Sequence, residues 1–288
     1  MQITRQYTIN TPREKLTQRL KTMGLDVWVN EGNGFFVLRI LEDDSRLCEV
    51  ERLLDAEGLF SSPDMFITYT KKYSAQECNE AKYLHVQSVY AGVQFPDIDY
   101  REVFRSSHFA ETVMIGARQI DVHEHSVQIA PIQLVKAPKW RTARQFCSGY
   151  FNGMVDLFCS DMAKGIIEEA GLAGSEFRPV LSRKSQKPVP NVWQLWPHEC
   201  EDFLAPGPHM DIRTCATCGM RRYVHRDGRA EIQIHDDTIP HGLDFMQSPP
   251  LVGKEIGYPY YVISSRAYRV LEQAKITQDL VFTPLKTV

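Results

Sequence analysis

Apolar positions recur along this chain with two periods, and the switches between them mark out short helices and strands. Thr11-Pro12-Arg13-Glu14 reads as a capping box with proline at the first helical position. Leu16, Leu20 and Met23 then share one helical face, and Gly24 stops the helix. Val27 and Val29 lie on one face of a strand with Trp28 on the other; the turn residues 31–34 and the run 35–41 (FFVLRIL) complete a hairpin. Ser45 is placed to cap a second helix carrying Leu47, Val50 and Leu54, ended by Gly58. Residues 65–70 read as a strand, 74–77 as another capping box, and 84–90 as a further strand. These elements make residues 1–95 an N-terminal α+β segment.

Residues 96–190 form the expected middle module. Two extended runs, 114–120 and 127–134, are joined by DVHEHS and predict a hairpin; the apolar run 150–158 and a helix with Met162, Ile166 and Ala170 follow. The polar, proline-containing stretch 183–191 reads as a linker to a final module, 191–288. There, the runs 220–225 and 229–235 alternate on either side of Asp227-Gly228, which predicts a second hairpin. A helix with Ala267, Leu271 and Ala274 precedes the last strand.

The two later segments carry a repeat. At 160–180 and again at 264–288, a serine opens a short amphipathic helix and an extended F-x-P-[LV] closes the unit. Phe177-Arg178-Pro179-Val180 answers Phe282-Thr283-Pro284-Leu285, about 105 residues on. The expected fold class is therefore α+β: an N-terminal α/β segment followed by two related modules, each a β-hairpin, a helix and an F-x-P strand.

Composition adds few constraints. A 288-residue chain with 43% hydrophobic and 24% charged residues can bury a substantial core, and its formal net charge of −3 gives no global reason to expect nucleic acid or membrane as partner. No apolar run approaches the roughly 18 residues of a membrane span, and the N-terminus lacks a basic start followed by an apolar core. Seven cysteines, an odd number, with Cys48, Cys147 and Cys159 in apolar or helical contexts, point to a reducing, cytoplasmic setting.

The sharpest chemical motif is Cys215-Ala216-Thr217-Cys218-Gly219, a knuckle that can aim both sulfurs at one metal. A structural zinc needs four ligands, so Cys215 and Cys218 supply half a site; His198, Cys200, His209 and His225 are the nearby candidates for the rest. Arg213, Arg221, Arg222, Arg226 and Arg229 surround the knuckle and could touch phosphates, yet Asp211, Asp227 and Glu231 are interleaved and favour a mixed-charge surface. His123-Glu124-His125 and the group His235, Asp236, Asp237 and His241 are two further sets of metal-ligating residue types, both at turn or loop positions where polar residues are the rule. A phosphate loop, a nucleophile elbow and an HExxH helix are all missing from the sequence. No catalytic residue is assigned.

With the repeat and the knuckle in view, the chain resembles the double-CxxCG-motif proteins of bacteria, some of which are immunity proteins of polymorphic toxin systems. The resemblance rests on Cys215-Ala216-Thr217-Cys218-Gly219, on the ending YVISSRAYRVLEQAKITQDLVFTPL, and on the segments FRPVLSRKSQKPVPNVWQL and ITYTKKYSAQECNEAKYLHVQS. The first CxxCG of that pattern would fall between Tyr100 and Gly116, where this chain has no cysteine. The resemblance implies a non-catalytic protein that neutralises a cognate toxin by binding it, with either no cofactor or one structural zinc. A zinc-ribbon-like nucleic-acid-binding or regulatory module using Arg221 and Arg222 is the second reading. A metal-dependent hydrolase using His123, His125 or the His235 group is the third.

Overall fold

The computed structural model describes the whole chain except residues 12, 31–34, 97–102, 107–108, 116–117, 124–125, 152–153, 215–220, 227–229, 250–251 and 253–258; for 104–127 and 150–155 it describes backbone only. The architecture is mixed α and β, and the chain divides into two compact units: residues 1–74 with 226–230, and residues 75–225 with 231–288.

In the first unit β1 (Gln2–Ile9), α1 (Glu14–Thr22), β2 (Asp26–Asn30), β3 (Phe35–Leu41), α2 (Leu47–Ala56) and β4 (Met65–Lys72) follow one another. The strands form an antiparallel sheet in the order β2-β3-β1-β4, the ferredoxin-like βαββαβ arrangement. Both helices cover one face. Tyr7, Ile9, Phe36, Leu38 and Ile40 from the sheet bury against Leu16 and Leu20 of α1 and Leu47, Val50 and Leu54 of α2. The hairpin of β2 and β3 is as expected. The capping is not. Helix α1 starts one position past Arg13, and Thr11 donates to Asp64 (3.0 Å) instead of capping it. Asp44, not Ser45, accepts the Arg46 amide at the start of α2 (2.9 Å). Strand β1, inside the sheet between β3 and β4, is an element beyond those the sequence pattern predicts.

The second unit begins with α3 (Ala75–Glu80) and β5 (Tyr83–Ser88). Strands β6 (Phe104–Ser106), β7 (Phe109–Ile115), β8 (Arg118–His123), β9 (Ser126–Gln128) and β10 (Gln133–Leu134) follow. Then come β11 (Phe146–Phe151), β12 (Met154–Cys159), α4 (Asp161–Glu169), β13 (Ser175–Ser182) and β14 (Pro188–Glu199). The chain continues with β15 (Leu204–Pro206), β16 (Met210–Thr214), β17 (Arg221–His225), β18 (Ile232–Ile234) and β19 (Phe245–Gln247), and closes with β20 (Tyr261–Ser264), α5 (Ser265–Gln273) and β21 (Leu280–Thr287). An 11-stranded sheet runs β10-β13-β14-β19-β20-β5-β21-β18-β15, with β12 and β11 branching from β14.

Two strand–helix–strand units sit in that sheet with the same connectivity. Strands β12 and β13, joined by α4, flank β14; strands β20 and β21, joined by α5, flank β5; every one of these pairings is antiparallel. The registers match as well. Phe177 lies opposite Leu195 and Pro179 opposite Trp193, just as Phe282 lies opposite Val86 and Pro284 opposite Leu84. Ser160 accepts the Ala163 amide at the head of α4 (3.1 Å), and Ser264 accepts that of Ala267 at the head of α5 (3.0 Å). Behind each capping serine stands a buried acceptor: Gln145 for Ser160 and Asp244 for Ser264. The amide of His198 reaches Gly174 O (2.7 Å) as that of Val89 reaches Asp279 O (2.9 Å).

Other pairings depart from expectation. Strand β17 folds back on β16, not onto the run after Asp227-Gly228; β18 pairs instead with β15 and, in parallel, with β21. Likewise β7 pairs with β8 and β9 with β6, so the runs on either side of DVHEHS are not paired with each other. Residues 183–187, expected within a linker, connect β13 to β14 as a hairpin. For β17 and β18 local alternation identified the strand, but burial chose its partner.

Both helices of the matching units exit through a left-handed residue, Gly171 at φ 59° and Lys275 at φ 57°. Glycine adopts that conformation freely, whereas a Cβ there is strained. Lys275→Gly should therefore stabilise the protein by up to about 1 kcal/mol, and Gly171→Lys should destabilise it by a similar amount. Urea unfolding midpoints of the two variants check this.

Candidate functional site

A cleft of about 600 Å³ in the second unit is lined by Lys82, Tyr83, His235, Asp236, Asp237, Ile239, His241 and Gly242. A one-turn 3-10 helix, Asp236–Thr238, presents the acidic pair. The Thr238 hydroxyl fixes that turn by donating to His235 O (2.8 Å). From the other side come the residues that open β5. The Lys82 ammonium pairs with Asp236 Oδ2, and the Tyr83 hydroxyl donates to Asp236 Oδ1 (3.1 Å).

That geometry decides what the cleft can do. The Lys82 ammonium holds the Asp236 carboxyl below its usual range, with Tyr83 adding to the effect. Burial, helped by Asp236, pushes the Tyr83 phenol up to about 12, so at neutral pH it is a donor and not a base. The carboxylate that a metal or a proton transfer would use is already held by a cation and a phenol. Among the described residues no three His, Cys, Asp or Glu side chains are placed to hold a metal ion together.

The structure does gather the His235, Asp236, Asp237 and His241 group at one cleft. It adds Lys82 and Tyr83, which no sequence signal marked: Lys82 stands 154 residues before Asp236. Of the other histidine pair, His123 ends β8, and Glu124 and His125 lie outside the described residues. Cys215 and Cys218 also lie outside them, between β16 and β17. Arg221 is exposed and pairs with Asp202 at 3.5 Å, while Arg222 sits half-buried opposite Arg213. Cys200 is buried, and burial raises its thiol pKa.

A second polar group lies inside the sheet. Gln194 on β14 donates to Asp156 Oδ1 (2.9 Å) and to Gln128 Oε1 (2.9 Å). Asp156 is 3% exposed, and its Oδ2 has no hydrogen-bond partner among the described residues. Burial raises its carboxyl pKa to about 7, against the opposing pull of the Gln194 hydrogen bond and the Arg178 charge. The matching positions in the other unit are Tyr260, four residues before its capping serine, and His85, opposite the residue after Phe282. These two rings stack at 3.7 Å, and burial, then the charge of His225, lowers the His85 pKa to about 3.

No protein-family model matches the chain, and no curated protein matches it. Among the described residues, no helix is long and apolar enough to cross a membrane.

Asp156 yields a pH prediction. Its folded pKa lies above the unfolded value near ~4, so the folded chain holds the extra proton between about pH 4 and about 7. Stability contributed by this group falls as pH rises through that window and stays low above it. Asp156→Asn should remove a fall on the order of 4 kcal/mol, raising stability relative to the parent more at pH 8 than at pH 4. Denaturant unfolding of both proteins across that range measures the difference.

Proposed function

We propose that this chain is a non-catalytic binding protein, an immunity-like protein that neutralises a cognate toxin in the bacterial cytoplasm by occluding it. The observation that carries this reading is the state of its most chemically equipped cleft. There Lys82, Tyr83 and Asp236 satisfy one another and leave no activated base, acid or nucleophile among them. An occluding protein needs a rigid, shaped surface in place of such a group.

The scaffold reading goes with it. The matched caps, registers and F-x-P strands of the α4 and α5 units support two related modules, and the resemblance to double-CxxCG-motif proteins rests on the same segments. In this reading the β7–β8 hairpin takes the place that β16–β17 holds in the other copy. Its first strand, β7, falls within the stretch where the missing CxxCG belongs.

One observation favours a second reading, a structural zinc. The CxxCG segment lies between two paired strands, β16 and β17, and a hairpin tip is where a zinc-ribbon knuckle sits. Cys215 and Cys218 would be two of its ligands.

Co-expression with a toxin encoded beside the gene tests the first reading: the expected outcome is protection of the cell and co-purification of the pair. Growth arrest with undiminished toxin activity on pairing with such a neighbour would sink it. Metal analysis tests the second. About one zinc per chain, lost in Cys215→Ser, is the expected result for a structural site.

A further inference from the structure

We propose that the open face of the N-terminal four-stranded sheet binds single-stranded nucleic acid, with Trp28 and Phe66 stacking separate bases. Both helices and the buried core lie on the opposite face, which leaves the alternate residues of all four strands outward. One of the rows that cross the whole sheet carries an aromatic ring at each end. Trp28 is opposite Val37, Val37 opposite Thr8, and Thr8 opposite Phe66.

The two ends of that row are unusually exposed for their type: Trp28 is 53% and Phe66 54% accessible, while Val37 between them is 8%. Phe35 props the Trp28 ring edge-on, with centroids 5.4 Å apart. The rings stand three strand spacings apart, roughly 14 Å. No single apolar side chain of a protein partner bridges that distance, and the low floor between them is Val37 and Thr8, not a contiguous apolar centre. Flat rings set apart on a polar sheet suit bases, each of which offers a π-face.

The charges on this face fit the same ligand. Arg39 and Lys72 point outward with it, against one carboxylate among the described strand residues, Asp26, and Arg39 is oriented by Gln6 (2.9 Å). Gln2, Thr4, Gln6, Thr68 and Thr70 supply neutral donors and acceptors for base edges. The acidic residues of α2 (Glu49, Glu51 and Asp55) are on the far side of the sheet. The negative net charge of the whole chain therefore does not describe this face. With two cations facing the backbone, the dependence of log affinity on log salt should have a slope of roughly −1.4.

Fluorescence anisotropy of labelled single-stranded RNA and DNA of ~12 nucleotides, titrated with the full chain at low salt, tests this. A duplex of the same sequence serves as the comparison. The expected result is single-strand binding tighter than duplex binding, weakened about tenfold by Trp28→Ala and by Phe66→Ala and restored by Trp28→Tyr. Arg39→Gln should lower the salt slope by about 0.7. Both aromatic positions are more than half exposed, so circular dichroism should show these variants folded. Three outcomes overturn the proposal: no binding up to about 100 μM; binding indifferent to both aromatic variants but lost in Arg221→Ala with Arg222→Ala; or aromatic variants that abolish toxin protection while leaving nucleic-acid binding untouched. The last would make the face a protein-docking surface. Failure of the immunity reading alone leaves the anisotropy result unchanged.

Discussion

Two strands joined by a helix and running parallel leave an open lane between them, and the second unit depends on how its two lanes are filled. Backbone amides and carbonyls lining an empty lane would be buried without partners, at a cost that no domain of this size could offset many times over. Strand β14 fills the lane between β12 and β13, and β5 fills the lane between β20 and β21. Each filling strand then continues past its lane into the other half of the sheet. Beyond Trp196, β14 pairs in parallel with β19; beyond Ser88, the chain bridges to Ser148 of β11. The two strand–helix–strand units are thus held together by the strands that complete them.

Side chains reinforce the exchange. Arg266, at the start of α5, forms an ion pair with the buried Asp244 (2.9 Å) and donates to Ala170 O, one of the unpaired carbonyls that end α4. Asp244 in turn accepts from Ser264 and from the Ala173 amide. One carboxylate therefore fixes the head of one helix, the loop after the other, and the arginine between them. On the far side, the Arg144–Asp279 pair and the Arg144 guanidinium over the Tyr90 ring (4.2 Å) tie the loop before β11 to the loop before β21. Such buried or half-buried pairs cost desolvation, and their value is in fixing a single arrangement of neighbouring elements.

The first unit solves the same problem within its own sequence. Its β1 lies between β3 and β4, and its β3 lies between β1 and β2, so each helix connection closes over a strand only a few dozen residues away. That leaves one face of the sheet packed and the other presented to solvent. In the second unit, by contrast, polar groups have been drawn into the sheet itself, as Asp156 with Gln194 and as His85 with Tyr260. The same pair of equivalent positions thus carries a raised carboxyl on one side and a depressed imidazole on the other, both because burial disfavours charge.

The helices and most strands could be read from the sequence, since a 3.6- or 2-residue period needs only neighbouring side chains. Ser160 and Ser264 were recognisable as caps, and the F-x-P copies as equivalent strands, because each is a local pattern repeated. Strand β1 is not legible locally: its alternation of Ile3, Tyr7 and Ile9 is broken by Arg5, whose charge is answered by Glu42 and Glu51 from elsewhere in the fold. The sequence also singled out His235, Asp236, Asp237 and His241 together, but nothing in it tied Asp236 to Lys82 and Tyr83. By itself, then, the sequence determined the helices and many of the strands, the mixed α and β class and the likeness of two segments. Only the tertiary structure decided that β17 returns to β16, that β5 and β14 fill distant lanes, and that Trp28 and Phe66 share one open face. The physical reason is that strand pairing is chosen by burial and register between residues far apart in the chain, which no local period encodes.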